Sequence, residues 1–81
     1  MQAPSASYSL TVRLEIQNRP GMLGRVTSAI GKAGGDIGAI DLVQVGKTTI
    51  TRDISFKARD ERHGQQIVER VRPLSGVKVV N

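Results

Sequence analysis

Cysteine and tryptophan are missing from this 81-residue chain, and tyrosine, phenylalanine and histidine occur once each. Without cysteine there is no disulfide, no thiol nucleophile and no thiolate metal site. His63 alone cannot found a His-rich metal cluster. Tyr8 and Phe56 are poor equipment for stacking on single-stranded bases. No apolar run approaches the ~20 residues of a membrane span. The opening "MQAPSASYS" lacks the basic-then-apolar layout of a signal peptide. The expectation is a soluble, cytoplasmic protein with no membrane partner. A chain this short buries only about 60–65% of its unfolded surface, which implies one domain with a modest core.

What is present is basic. Twelve Lys and Arg against seven Asp and Glu leave a net charge of +5. The cations from Arg13 to Lys78 are spread along the chain and interleaved with acids. That is the pattern of a solvated surface, and no nucleic-acid partner is expected. The carboxylates show no metal-ligand spacing, and His63 reads as a satisfied or solvated residue at a surface helix start. Neither catalytic residues nor a cofactor or metal is expected.

Hydrophobic periodicity divides the chain. Residues 1–7 are small and polar, an expected disordered lead-in to a single domain over 8–81. Tyr8, Leu10, Val12, Leu14 and Ile16 alternate with Ser9, Thr11, Arg13 and Glu15, the period of a strand with one buried face. Met22, Leu23, Val26, Ala29, Ile30 and Ala33 recur at helical spacing, and Gly34-Gly35 supplies a stop. "DIGAIDLVQV" and "TTITRDISF" read as strands joined by a two-residue turn at Gly46-Lys47. That turn would set Val45 opposite Thr48, Asp41 opposite Arg52 and Ala39 opposite Ile54. "DERHGQQIVERVRPL" reads as a helix with acids in its first turn, and "VKVV" as a last strand. The predicted class is α+β: a ferredoxin-like βαββαβ order, with a four-stranded antiparallel sheet and two helices on one face.

The stretch "IQNRPGMLGRV" follows a strand and opens a helix, as a phosphate loop would. It lacks the G-x-G-x-x-G pattern, and Pro20 removes one backbone donor. "GKAGGDIG" lies at a helix end, where the dipole disfavours an anion. The turn is better described by its parts. Pro20 fixes its own φ and extends Arg19, Gly21 permits close approach, and Asn18 carries donors and an acceptor. Those residues suit either a plain structural turn or half of a ligand mouth.

"LEIQNRPGMLGRVTSAIGKAGGDIGAIDL" resembles the ACT domain, a small regulatory module with the same element order. The resemblance rests on Asn18-Arg19-Pro20-Gly21, the apolar Met22-Leu23, and Gly35-Asp36-Ile37 at the second strand, and it covers about residues 8–80. "TSAIGKAGGDIGAIDLV" and "TRDI" are similar to the N-terminal ACT region of bacterial NAD-dependent malic enzymes. The resemblance implies a homodimer or higher homo-oligomer and a small effector, an amino acid or organic acid. It also implies a covalently linked catalytic domain under allosteric control. It implies ligand contacts from Asn18, Pro20, Gly21, Met22 and Leu23, with Asp36 and Ile37 reached from a second copy. Asp36 stands where many ACT domains have Asn, so it either pairs with a ligand ammonium or serves as a solvated turn residue. The alternative for the whole chain is a structural dimerisation module that binds nothing.

Overall fold

A computed structural model describes residues 8–81; the expected lead-in over 1–7 lies outside the described residues. The elements run β1 (Tyr8–Gln17), α1 (Met22–Lys32), β2 (Asp36–Val45), β3 (Thr49–Ala58), α2 (Glu61–Val71) and β4 (Val77–Val79). They build one antiparallel sheet in the order β2-β3-β1-β4, with β2 and β4 at its edges. This is the ferredoxin-like arrangement expected from the sequence.

The core follows from the alternation in β1. Val12, Leu14 and Ile16 are buried, and Ile54 and Phe56 lie opposite Val12 and Leu10 in β3. Val26 and Ile30 of α1 and Ile67, Val68 and Val71 of α2 close over that face. Ser9, Thr11 and Arg13 point the other way and are exposed. On that water side the Arg13 guanidinium grips Asp53 through two hydrogen bonds, Nε to Oδ1 at 2.8 Å and Nη2 to Oδ2 at 3.0 Å. These bonds hold the Asp53 carboxyl below the usual carboxylate range, against a smaller opposing push from desolvation, and raise the Arg13 pKa.

The helix ends show why glycine is placed where it is. Gly34 has φ 92° and donates to the Gly31 carbonyl, while Gly35 donates to the Ile30 carbonyl at 2.9 Å. This pair of bonds is the Schellman closure, which satisfies carbonyls that the helix leaves open. A Cβ on Gly35 would stand 2.6 Å from Ile30 Cγ2, so the position admits no side chain without movement. At the other helix, Asp60 accepts from the His63 backbone N–H at 2.8 Å, an N-cap.

Two expectations are corrected. His63 is not at the surface: it is 5% exposed, between the two helices. Its Nδ1 accepts from the Arg59 backbone N–H at 3.1 Å, and its Nε2 donates to the Ala33 carbonyl at 2.8 Å. The imidazole therefore ties the end of α1 to the start of α2. The neighbouring Gly64 leaves room for the Tyr8 ring, which a Cβ would approach to 3.1 Å.

The second correction concerns the hairpin. Val45 pairs with Ile50, not Thr48, because Gly46 donates to the Thr49 carbonyl at 2.8 Å and the connection takes in residues 46–48. Register then shifts along β2, with Leu42 opposite Arg52, Asp41 opposite Asp53 and Ile40 opposite Ile54. The expected Asp41–Arg52 pair does not form, nor does Ala39 face Ile54. Irregularities between Ile37 and Ile40 and between Leu42 and Gln44 absorb the difference. At the first of them Ala39 N–H donates to the Ser55 hydroxyl at 2.9 Å, a side chain standing in for a ladder carbonyl. The slip puts Asp41 on the water side, while Arg52, opposite Leu14, stays on the helix side.

Candidate functional site

The turn between β1 and α1 is held almost wholly by backbone. Gln17 donates to the Gly76 carbonyl and Asn18 to the Thr48 carbonyl, both at 2.9 Å. Arg19 N–H folds back on the Gln17 carbonyl at 2.9 Å, and Arg25 N–H reaches the Gly21 carbonyl at 3.0 Å. Gly21, the residue before α1, has φ 86°, a left-handed conformation that glycine adopts without a Cβ penalty. A Cβ there would touch nothing within 4 Å, so the requirement is conformational rather than steric. No side chain caps α1, which leaves the helix start open to solvent.

The seven sequence-predicted site residues fall into three groups. Asn18, Pro20 and Gly21 are exposed at the tip of the turn. Met22 is 3% exposed and belongs to the core, its Cε pressed under Gly76. Leu23 is half-buried against the same core. Arg19 Nη2 reaches the Met22 sulfur at 3.6 Å.

Asp36 and Ile37 are elsewhere. β1 and β2 both run antiparallel to β3 and so run parallel to each other. The turn follows the end of β1, whereas Asp36 begins β2, a strand length of about 30 Å away. Asp36 lies opposite Lys57 on the water side, and Ile37 lies opposite Phe56 on the core side. One chain does not bring the two halves together.

What does adjoin the turn is the β2–β3 connection. A depression of about 400 Å³ is lined by Gln17, Asn18, Arg19, Lys47, Thr48 and Thr49. Sequence reasoning missed this neighbour because a two-residue hairpin would have absorbed Lys47 and kept Thr48 in the ladder. A second, shallower groove of about 570 Å³ runs from Gly21 between the helices, with Arg25, Lys32 and Arg70 on its walls. Both places are basic. Among the described residues, no three His, Asp or Glu side chains converge as a metal site would require. No described helix is long and apolar enough to cross a membrane.

Beside the turn, β2 carries four of the five large apolar side chains that are exposed among the described residues. Leu42 is 58% exposed and Val45 60%, with Ile40 and Val43 also open. Among the described residues this ten-residue strand has one neighbour, β3, and its other edge offers unpaired backbone N–H and C=O groups.

These features agree with what the chain is similar to. A sequence profile described as the ACT domain matches residues 4–81. The chain is 37% identical over 76 residues to the NAD-dependent malic enzyme of Geobacillus stearothermophilus, covering 94% of this chain and 16% of that protein. It is 39% identical over 64 residues to NAD-dependent malic enzyme 1 of Bacillus subtilis (strain 168), covering 79% of this chain and 15% of that protein. The chain thus spans about one-sixth of the length of these relatives. In fold it matches the crystal structure of the ACT domain from GTP pyrophosphokinase of Chlorobium tepidum. That match has a TM-score of 0.74 at 18% identity, and covers 93% of this chain and 97% of the other. With the βαββαβ sheet, the Asn18–Gly21 turn and the Gly35-Asp36-Ile37 strand entry in place, the chain belongs to the ACT domain family.

Proposed function

We propose that this ACT domain pairs with a second copy through β2 and senses a small molecule, an amino acid or organic acid, at the resulting seam. An attached catalytic region of the malic enzyme type is then the regulated partner, in a soluble, cytoplasmic setting. The observation that carries the reading is the exposed β2 edge with Leu42 and Val45 open to water. An apolar, unpaired edge of this length is a template for another strand. Antiparallel pairing of β2 with its symmetry mate also answers the separation of the two half-sites. A partner's Asp36 end lies alongside this chain's Val45 end, the end at which the Asn18 turn stands.

Regulation follows by population shift. A ligand held between two copies favours the arrangement in which both halves of the mouth close. It moves the equilibrium only by its differential affinity for the two states, typically about 1–3 kcal/mol of coupling. Thermal-shift screening of amino acids and organic acids on the 81-residue chain tests the reading, with Asn18→Ala and Asp36→Ala as controls. Stabilisation that both variants lose supports it. A dimer that no compound stabilises favours a structural dimerisation module instead.

A further inference from the structure

The helix side of the sheet is apolar except at one position. Along β3 the residues facing the helices are Ile50, Arg52, Ile54, Phe56 and Ala58. Arg52 lies between Leu14 of β1, fully buried, and Leu42 of β2, largely exposed. Its side is therefore closed by the core and open towards the β2 edge. Half-buried, it makes no hydrogen bond or ion pair with a described side chain. A guanidinium that is partly desolvated and unpaired carries an energetic cost, which an anion with matching geometry removes.

The chain has no carboxylate to supply there. Glu15, Asp36, Asp41 and Asp53 all lie on the water side of the sheet. Asp60 caps α2, Glu69 pairs with Arg72, and Glu61 is exposed in the first turn of α2. No acid occurs anywhere in α1. A second copy does not change this. Antiparallel pairing of β2 with itself requires a two-fold axis perpendicular to the sheet, so the partner's Asp36 and Asp41 also stay on the water side.

We infer that Arg52 anchors the carboxylate of the small-molecule effector, and that the effector's body lies against Ile40 and Leu42 at the β2 seam. The effector class is a small carboxylate with a short aliphatic body. This inference rests on the regulatory reading above and adds to it a residue outside the Asn18 and Asp36 loops. The register slip in the hairpin leaves Arg52 on the apolar side, opposite Leu14, and carries Asp41 to the other face.

The test is titration of the 81-residue chain, followed by backbone amide shifts, with L-leucine, 4-methylpentanoate and L-leucinamide. The first two carry the carboxylate; the amide keeps the body and loses the charge. Wild type binds the two carboxylates, and Arg52→Gln weakens both by roughly ten-fold or more, the loss of a charge-assisted hydrogen bond. Arg52→Lys retains part of the affinity, which separates lost charge from misfolding, and unchanged amide dispersion verifies the fold. Carboxylates that bind Arg52→Gln as well as wild type, or leucinamide that binds as tightly as leucine, overturn the role of Arg52 and leave the regulatory reading standing. No binding of any probe to wild type, with Arg52→Gln more stable than wild type, overturns both.

Discussion

β1 and β2 are both ten-residue strands, run the same way and contribute similar numbers of apolar side chains, yet they have opposite fates. β1 lies between two neighbours and under both helices, so Val12, Leu14 and Ile16 vanish from solvent. β2 has one neighbour and leaves Ile40, Leu42, Val43 and Val45 open. The same residue types are buried in the core in one strand and exposed to solvent in the other. Position in the sheet, not hydrophobicity, separates the buried strand from the exposed one.

The sharpest way to break this comparison is to truncate one leucine in each strand. Leu14→Ala removes a fully buried side chain and is expected to cost about 2–5 kcal/mol in urea denaturation. Leu42→Ala, at 58% exposure, is expected to change the stability of the isolated chain by no more than about 0.5 kcal/mol. Its effect appears instead in self-association. Equal destabilisation by the two would contradict the division.

His63 ranks next. His63→Ala removes the ring that accepts from Arg59 and donates to Ala33, leaving the freed carbonyl short of a partner. The expected loss is about 1–3 kcal/mol for a buried polar group left unpaired. His63→Gln recovers part of it, and amide exchange at Gly34 and Gly35 speeds up in the alanine variant.

The smallest effect belongs to the exposed Arg13–Asp53 pair, which joins β1 to β3 on the water side. Asp53 titrates lower in the folded chain than in the unfolded one, so its contribution is present at neutral pH. It fades as the pH falls from the ordinary aspartate value of about 3.9 through the lower folded value. Asp53→Asn therefore trails wild type slightly at pH 7, and the gap closes in acid. Denaturation midpoints compared across that range read the effect, and a constant gap contradicts it.

The comparison also explains which parts of the molecule could be read in advance. The alternation of β1, the helical stripe of α1 and the Gly34-Gly35 stop are local signals, and each predicts its element. The hairpin was misread because its loop is fixed by distant backbone, with the Thr48 carbonyl accepting from Asn18. The bulge near Gly38 depends on Ser55, 16 residues away from Ala39, although a glycine inside a strand pattern is itself a bulge signal. His63 looked exposed because its partner, the Ala33 carbonyl, arrives only when the helices dock. The turn Asn18–Gly21 was legible as a turn; its neighbours Lys47 to Thr49 were not, since they follow from the hairpin register.

Sedimentation equilibrium of the 81-residue chain beside its Leu42→Lys variant tests the central claim, that β2 is a pairing edge. The account predicts a concentration-dependent species of twice the 8.7 kDa chain mass for wild type, and a monomer for the variant with an unchanged fold. A wild-type chain that stays monomeric across the concentration range, or a variant that dimerises as well as wild type, would contradict it.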